Sequence, residues 1–147
     1  MSLEMQILPE REPAGRNVFQ FSPLDSARFS REIQGHKWLV ESVLVEGEPA
    51  VIGGPKKTLK TTCAIDMALS VASGTKFLNH FPVAKKVKVA VLSGESGTAT
   101  LQETANRICK AKGINLADAN VLWQNDLPCL SDPFDRQQLQ QGLAQHQ

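Results

Sequence analysis

Apolar residues recur along this chain with two different periods, and the changes from one to the other predict the order of its elements. From residue 50, "AVIG" reads as a short apolar strand and "GPKKT" as a loop. "LKTTCAIDMALSVAS" follows with helical spacing: Leu59, Cys63, Met67, Ala68 and Val71 share a stripe, and Gly74 suits a C-terminal stop. "KVKVAVLS", residues 86 to 93, alternates β-branched residues before a continuous apolar end and reads as a second strand. "TLQETANRICKAK" is a second helix with Leu101, Ala105, Ile108 and Cys109 on one face. Thr100 and Glu103 have capping-box spacing at its start, and Gly113 follows its basic last turn. "NVLWQ" is a third short strand, and "SDPFDRQQLQQGLAQHQ" opens a polar helix with an Asp cap and Pro133 at the first helical position.

The N-terminal third is less regular. Residues 1 to 24 hold Pro9, Pro13 and Pro23 among charges and read as a flexible arm. "DSARFSREI" predicts a short helix capped by Asp25 or Ser26. "KWLVESVLVEGEP" is an apolar segment ending in a turn at Gly47, expected to pack on the domain after it. Three parts result: an arm over 1–24, a lead-in over 25–48, and an α/β domain over 49–147. Strand and helix alternate three times in that domain, the signature of a mainly parallel sheet with crossover helices. Ligands bind at the carboxyl ends of such strands. Two of the three ends are polar and glycine-rich: Gly53-Gly54 after the first, and Ser93-Gly94-Glu95-Ser96-Gly97 after the second.

Composition narrows the classes without choosing among them. The chain has 147 residues, about one domain, with 41% hydrophobic residues, 21% charged residues and a net charge of +1. That balance gives no global electrostatic argument for nucleic acid or a membrane surface. No apolar run approaches the roughly 20 residues that span a bilayer. Cys63, Cys109 and Cys129 lack metal-ligand spacing and read as reduced thiols of a cytoplasmic protein.

The loop carries the chemistry. Phosphate-binding loops follow G-x-x-x-x-G-K-[ST]. Gly54, Lys60 and Thr61 match, while Leu59 stands where the second glycine belongs. In this reading Gly54, Pro55, Lys56, Lys57, Thr58, Leu59, Lys60, Thr61 and Thr62 surround the phosphates. Backbone N–H groups and a helix N-terminus favour the anion, Lys60 reaches the terminal phosphates, and the Thr61 hydroxyl ligates Mg²⁺. A leucine at φ > 0 costs on the order of 1–2 kcal/mol, whereas one already in helical geometry costs little. Three lysines within five residues repel unless an anion sits among them. The alternative is a solvated, lysine-rich turn.

Glu95 lies just past the second strand. If that strand neighbours the first, a carboxylate there can position the water attacking a γ-phosphate. Equally, it can cap the second helix. "KKVK", residues 85 to 88, reads either as a contact to a nucleic-acid backbone or as a solvated turn, the turn being favoured. Trp38 and Trp123 read as packing residues, and His36, His80 and His146 have no metal spacing.

Together these segments resemble RecA-like P-loop ATPases of the AAA-type, RepA-like class, which includes replicative-helicase and KaiC-related proteins. The resemblance runs from about Trp38 onward and rests on "GGPKKTLKT" and "LSGESG". It implies a RecA-like P-loop fold, ATP with Mg²⁺, Lys60 and Thr61 at the phosphates, and Glu95 as the hydrolytic glutamate. It further implies homo-oligomeric rings or filaments, with DNA as a candidate partner in replication or recombination. Such domains also have an apolar strand ending in Asp that supports the metal, and no segment here fits it. The domain is therefore expected to be the N-terminal part of a longer one, and on its own to dimerise, to be completed by a partner, or to be marginally stable. A rival expectation is a non-catalytic, nucleotide-responsive or interaction module with a modified phosphate loop.

Overall fold

The computed structural model describes residues 21–31 and 35–146. The chain divides into two units, Met1–Gly35 and His36–Gln147. In the first, α1 (Ser26–Phe29) is a single turn whose N-cap Asp25 accepts the Arg28 N–H at 2.7 Å. The expected cap is thus in place; most of the expected arm, and residues 32–34 of the expected helix, lie outside the described residues.

In the second unit β1 (Trp38–Val40) and β2 (Leu44–Val45) form an antiparallel hairpin. Residues 82 to 84 run along the hairpin: Val40 bridges Val83, and the Ala84 N–H donates to the Leu39 carbonyl at 3.0 Å. Helices α2 (Lys60–Ser73) and α3 (Thr98–Lys112) both end on glycines at positive φ, Gly74 at 77° and Gly113 at 66°. That geometry suits glycine and satisfies the last carbonyls. β3 (Val89–Leu92) and β4 (Val121–Gln124) pair in parallel, Val89 opposite Val121 and Leu92 opposite Gln124, with α3 between them in sequence. α4 (Pro133–Gln145) starts at the Asp132 cap with Pro133 in its first turn, as expected. Helices with a small parallel sheet make this an α/β fold.

α2 is buried on two sides. Ile65 and Leu69 pack with Leu101, Ala105 and Cys109 of α3. Val71 packs with Val40 of the hairpin and with Phe77. The predicted α3 face is therefore correct, but the predicted α2 stripe omits Ile65 and Leu69, which are 1% and 0% exposed. A helix wedged between two partners has no single stripe to read.

Three further expectations are corrected. Residues 50–53 form no strand, and Val51 is 93% exposed. An isolated strand cannot satisfy its backbone groups, and among the described residues β3 and β4 pair with each other, while the hairpin pairs with residues 82–84. The second strand is shorter than predicted because its ladder begins where Val89 meets Val121. The capping box is absent: α3 begins at Thr98 behind Gly97, Thr100 lies inside the helix, and Glu103 pairs with Arg107 instead.

Candidate functional site

The loop before α2 folds back on itself. The Lys60 ammonium donates to the Gly54 carbonyl at 3.0 Å and the Pro55 carbonyl at 2.7 Å, closing residues 54–60 into a ring. Thr58 braces the ring by donating its hydroxyl to the Pro55 carbonyl at 2.8 Å. A Cβ on Gly54 would lie 2.8 Å from that hydroxyl oxygen, so a side chain here would push the Thr58 hydroxyl from its place. Lys57 has φ 63° and Leu59 φ 59°, with Thr58 between them outside the positive region. Such alternation turns successive N–H groups toward one side, the geometry of an anion-binding nest.

Leu59 is the N-cap of α2, left-handed at φ 59°, ψ 19°, with no side-chain capping bond. It takes the costly one of the two conformations considered from sequence, and its side chain is 69% exposed. The first bond into α2 runs from the Cys63 N–H to the Leu59 carbonyl at 2.9 Å. The N–H groups of Lys60, Thr61 and Thr62 therefore have no intrahelical acceptor. Their partial positive charge is the positive end of the helix dipole. The first turn of α2 contains no acid, and Lys56 and Lys57 join no ion pair among the described residues. The loop is thus an exposed, cationic segment leading into free backbone N–H groups.

Thr61 is exposed in that first turn, and its hydroxyl has no hydrogen-bond partner among the described residues. It is thus free to act as an oxygen ligand. No group of His, Cys, Asp or Glu among the described residues could by itself hold a metal ion. This donor set fits Mg²⁺ carried by phosphates and waters with one protein oxygen, the usual way that ion is held.

Glu95 is exposed in the turn after β3, where the Ser93 N–H reaches the Gln124 carbonyl at 2.9 Å and the Ser96 N–H reaches the Ser93 hydroxyl at 3.3 Å. It has no hydrogen-bond or ion-pair partner among the described residues. Strand adjacency was the reason for expecting it beside the loop, and residues 50–53 do not join the sheet. Nor does it cap α3, whose N-cap is Gly97. Hydrogen bonds thus tie Gly54, Pro55, Thr58 and Lys60 into one loop, and none joins Glu95 to it among the described residues.

The other candidates have local explanations. Lys85 pairs with Glu46, Lys86 lies over Gly74 at the end of α2, and Lys88 bonds the His146 carbonyl. Trp38 packs beside His36 with ring centroids 5.4 Å apart. All three cysteines are free thiols. No helix among the described residues is long and apolar enough to cross a membrane.

Sequence reasoning missed what lies beside the loop. A cleft of about 310 Å³ borders Leu59 and Thr62 on one side and Leu78 and Ile108 on the other. At its base the Lys112 ammonium meets the Asp66 carboxylate at 2.9 Å. The available signal was Asp66 itself, a lone acid in the apolar half of a helix.

No curated protein and no solved structure matches the chain at a significant level. The model of one family, described as an AAA domain, matches residues 15–147, nearly the whole chain. That family is of the nucleotide-binding, P-loop ATPase type, in keeping with the lysine-closed loop at the start of α2. The chain belongs to the AAA domain family.

Proposed function

We propose that residues 54–62 bind the phosphates of ATP with Mg²⁺, in a RecA-like ATPase that couples hydrolysis to work on DNA. Lys60 leaves its loop carbonyls for the terminal phosphates. The N–H groups from Lys57 to Thr62 line the phosphate chain, and the Thr61 hydroxyl takes the metal. The Mg²⁺ neutralises charge developing on the phosphates when bound. Glu95 orients the attacking water once the turn at residues 93–97 is drawn toward the loop. Homo-oligomeric rings or filaments in the cytoplasm are the expected working form. The observation that carries this reading is the ring itself: a lysine-closed loop of alternating φ opening an uncapped helix, with no acid to neutralise it.

A second reading, a nucleotide-responsive module without turnover, is favoured by the strained Leu59. Glu95→Gln separates the two. An ATPase loses turnover by about 100-fold or more while keeping its ATP affinity, as befits removal of a water-positioning group. Wild-type protein that binds ATP but shows no turnover for the variant to lose supports the module instead.

A further inference from the structure

The Asp66–Lys112 pair is almost fully withdrawn from water: the Lys112 side chain is 3% exposed and that of Asp66 10%. Asp66 uses both oxygens. Oδ1 takes the Lys112 ammonium at 2.9 Å, and Oδ2 accepts the Leu78 N–H at 2.7 Å. Lys112 also donates to the Lys76 carbonyl at 2.7 Å. Both charges therefore grip one turn, residues 76–81, in which Leu78 and Asn79 have φ of 50° and 55°. Three segments meet at two side chains: α2, the turn, and the last residue of α3.

The location gives the pair its significance. α2 begins with Lys60, and α3 begins just after Glu95. The rest of the α2–α3 interface is the apolar cluster of Ile65, Leu69, Leu101, Ala105 and Cys109. Apolar contact is non-directional and tolerates sliding. A buried ion pair is directional, and burying it is costly unless its geometry is satisfied. Retaining one here therefore specifies an alignment that apolar packing leaves loose.

We infer that Asp66 and Lys112 are positioning residues, which fix α3 against α2 and so fix the Glu95 turn relative to the phosphate loop. Its catalytic consequence rests on the ATPase reading above; the alignment itself does not.

The test compares the wild type, Asp66→Asn, Lys112→Met, and the double variant. Each single variant strands a buried group and melts early. In the double variant no charge is left unpaired: Asn keeps an acceptor for the Leu78 N–H, and Met fills the lysine's volume. The Lys76 carbonyl keeps the Asn79 N–H at 3.2 Å. Its melting midpoint should lie above those of both single variants and somewhat below that of the wild type, because one donor of the new side-chain amide has no acceptor. Spin labels at Ala64→Cys on α2 and Ala99→Cys on α3, with Cys63 and Cys129 replaced by serine, then report the alignment by pulsed dipolar spectroscopy. The expected result is a broadened or shifted distance distribution in the stable double variant. Where the wild type hydrolyses ATP, turnover should also fall about 100-fold with affinity within two-fold, the cost of a displacement near 1 Å. An unchanged distribution in a stable double variant overturns the inference and makes the pair merely structural. A wild type that neither binds nor hydrolyses ATP counts against the ATPase reading, and the distance distribution still decides the role of the pair.

Discussion

The Lys60 ammonium sits 3.0 Å from the Gly54 carbonyl, the two residues that bound the loop holding each other across six positions of chain. The lysine that is proposed to meet phosphate is thus anchored by carbonyls of its own loop. It is held at the mouth of the loop instead of extending into solvent, which lowers the ordering cost of meeting an anion. Thr58 on Pro55, and the Cβ-free Gly54 beneath it, keep that ring compact.

Leu59 is where the loop departs most from glycine-rich forms, and its backbone is where the departure should be measurable. At φ 59° a leucine is strained by about 1–2 kcal/mol. Leu59→Gly removes that strain and loses little burial, but frees the unfolded chain. Net stability should rise by up to about 1 kcal/mol, whereas Leu59→Ile should lower it by about 1 kcal/mol because branching at Cβ worsens the left-handed clash. Urea titrations decide it. Equal losses in both variants would show that the strain is not at this residue.

The interface between α2 and α3 turns on Leu69, which is fully buried. Leu69→Ala should cost about 2–5 kcal/mol, the range for a buried leucine whose cavity cannot collapse. Leu143→Ala on α4, where the side chain is 40% exposed, should cost less than about 1 kcal/mol. Denaturation midpoints of similar size for the two would contradict the described core.

Thiol reactivity should rank the cysteines by environment. Cys129 is exposed, and the Ser131 hydroxyl bonded to it, followed by backbone N–H groups of Ser131 and Asp132, lowers its pKa from the ordinary thiol value. Burial raises that of Cys109, which is 3% exposed. Alkylation at neutral pH followed by peptide mass mapping should find Cys129 modified first and Cys109 protected until unfolding. Early modification of Cys109 would mean that the α2–α3 cluster opens.

The surface cluster at the hairpin predicts an acid response. Hydrogen bonds from Lys85 and then Lys37 hold the Glu46 carboxyl below its usual range. A depressed carboxylate stabilises the fold above its unfolded pKa and loses that contribution as pH falls through the folded one. The stability difference between wild type and Glu46→Gln should therefore be level near neutrality and shrink as pH drops below the ordinary glutamate value of 4.5. Because the cluster lies at the surface, with the Lys37 side chain 79% exposed, the difference should be small and weaken in salt. A difference that grows on acidification would have the wrong sign.

Much of this architecture is legible in local chemistry. Asp25, Gly74, Gly113 and the Asp132–Pro133 start each sit where capping rules put them. The parallel pairing of β3 with β4 follows from their apolar runs and the helix between them. What escapes is what depends on a neighbour. "AVIG" has the residues of a strand, but strand formation needs a partner, and none flanks it among the described residues. Leu78 and Asn79 turn the chain at positive φ with no glycine or proline to announce it, because the hydrogen bond to Asp66 comes from 12 residues away. At the site itself the loop was readable from Gly54, Lys60 and Thr61. The expectation for Glu95 rested on a neighbouring strand at residues 50–53, and that strand does not form.

ATP calorimetry with Mg²⁺ on the wild type and Lys60→Ala decides whether the ring at residues 54–60 holds phosphate. The wild type should give a binding isotherm that is lost or weakened at least about 10-fold in the variant, as removal of a charge-assisted contact requires. No isotherm from wild-type protein shown to be folded would contradict it, and so would equal affinity in both proteins.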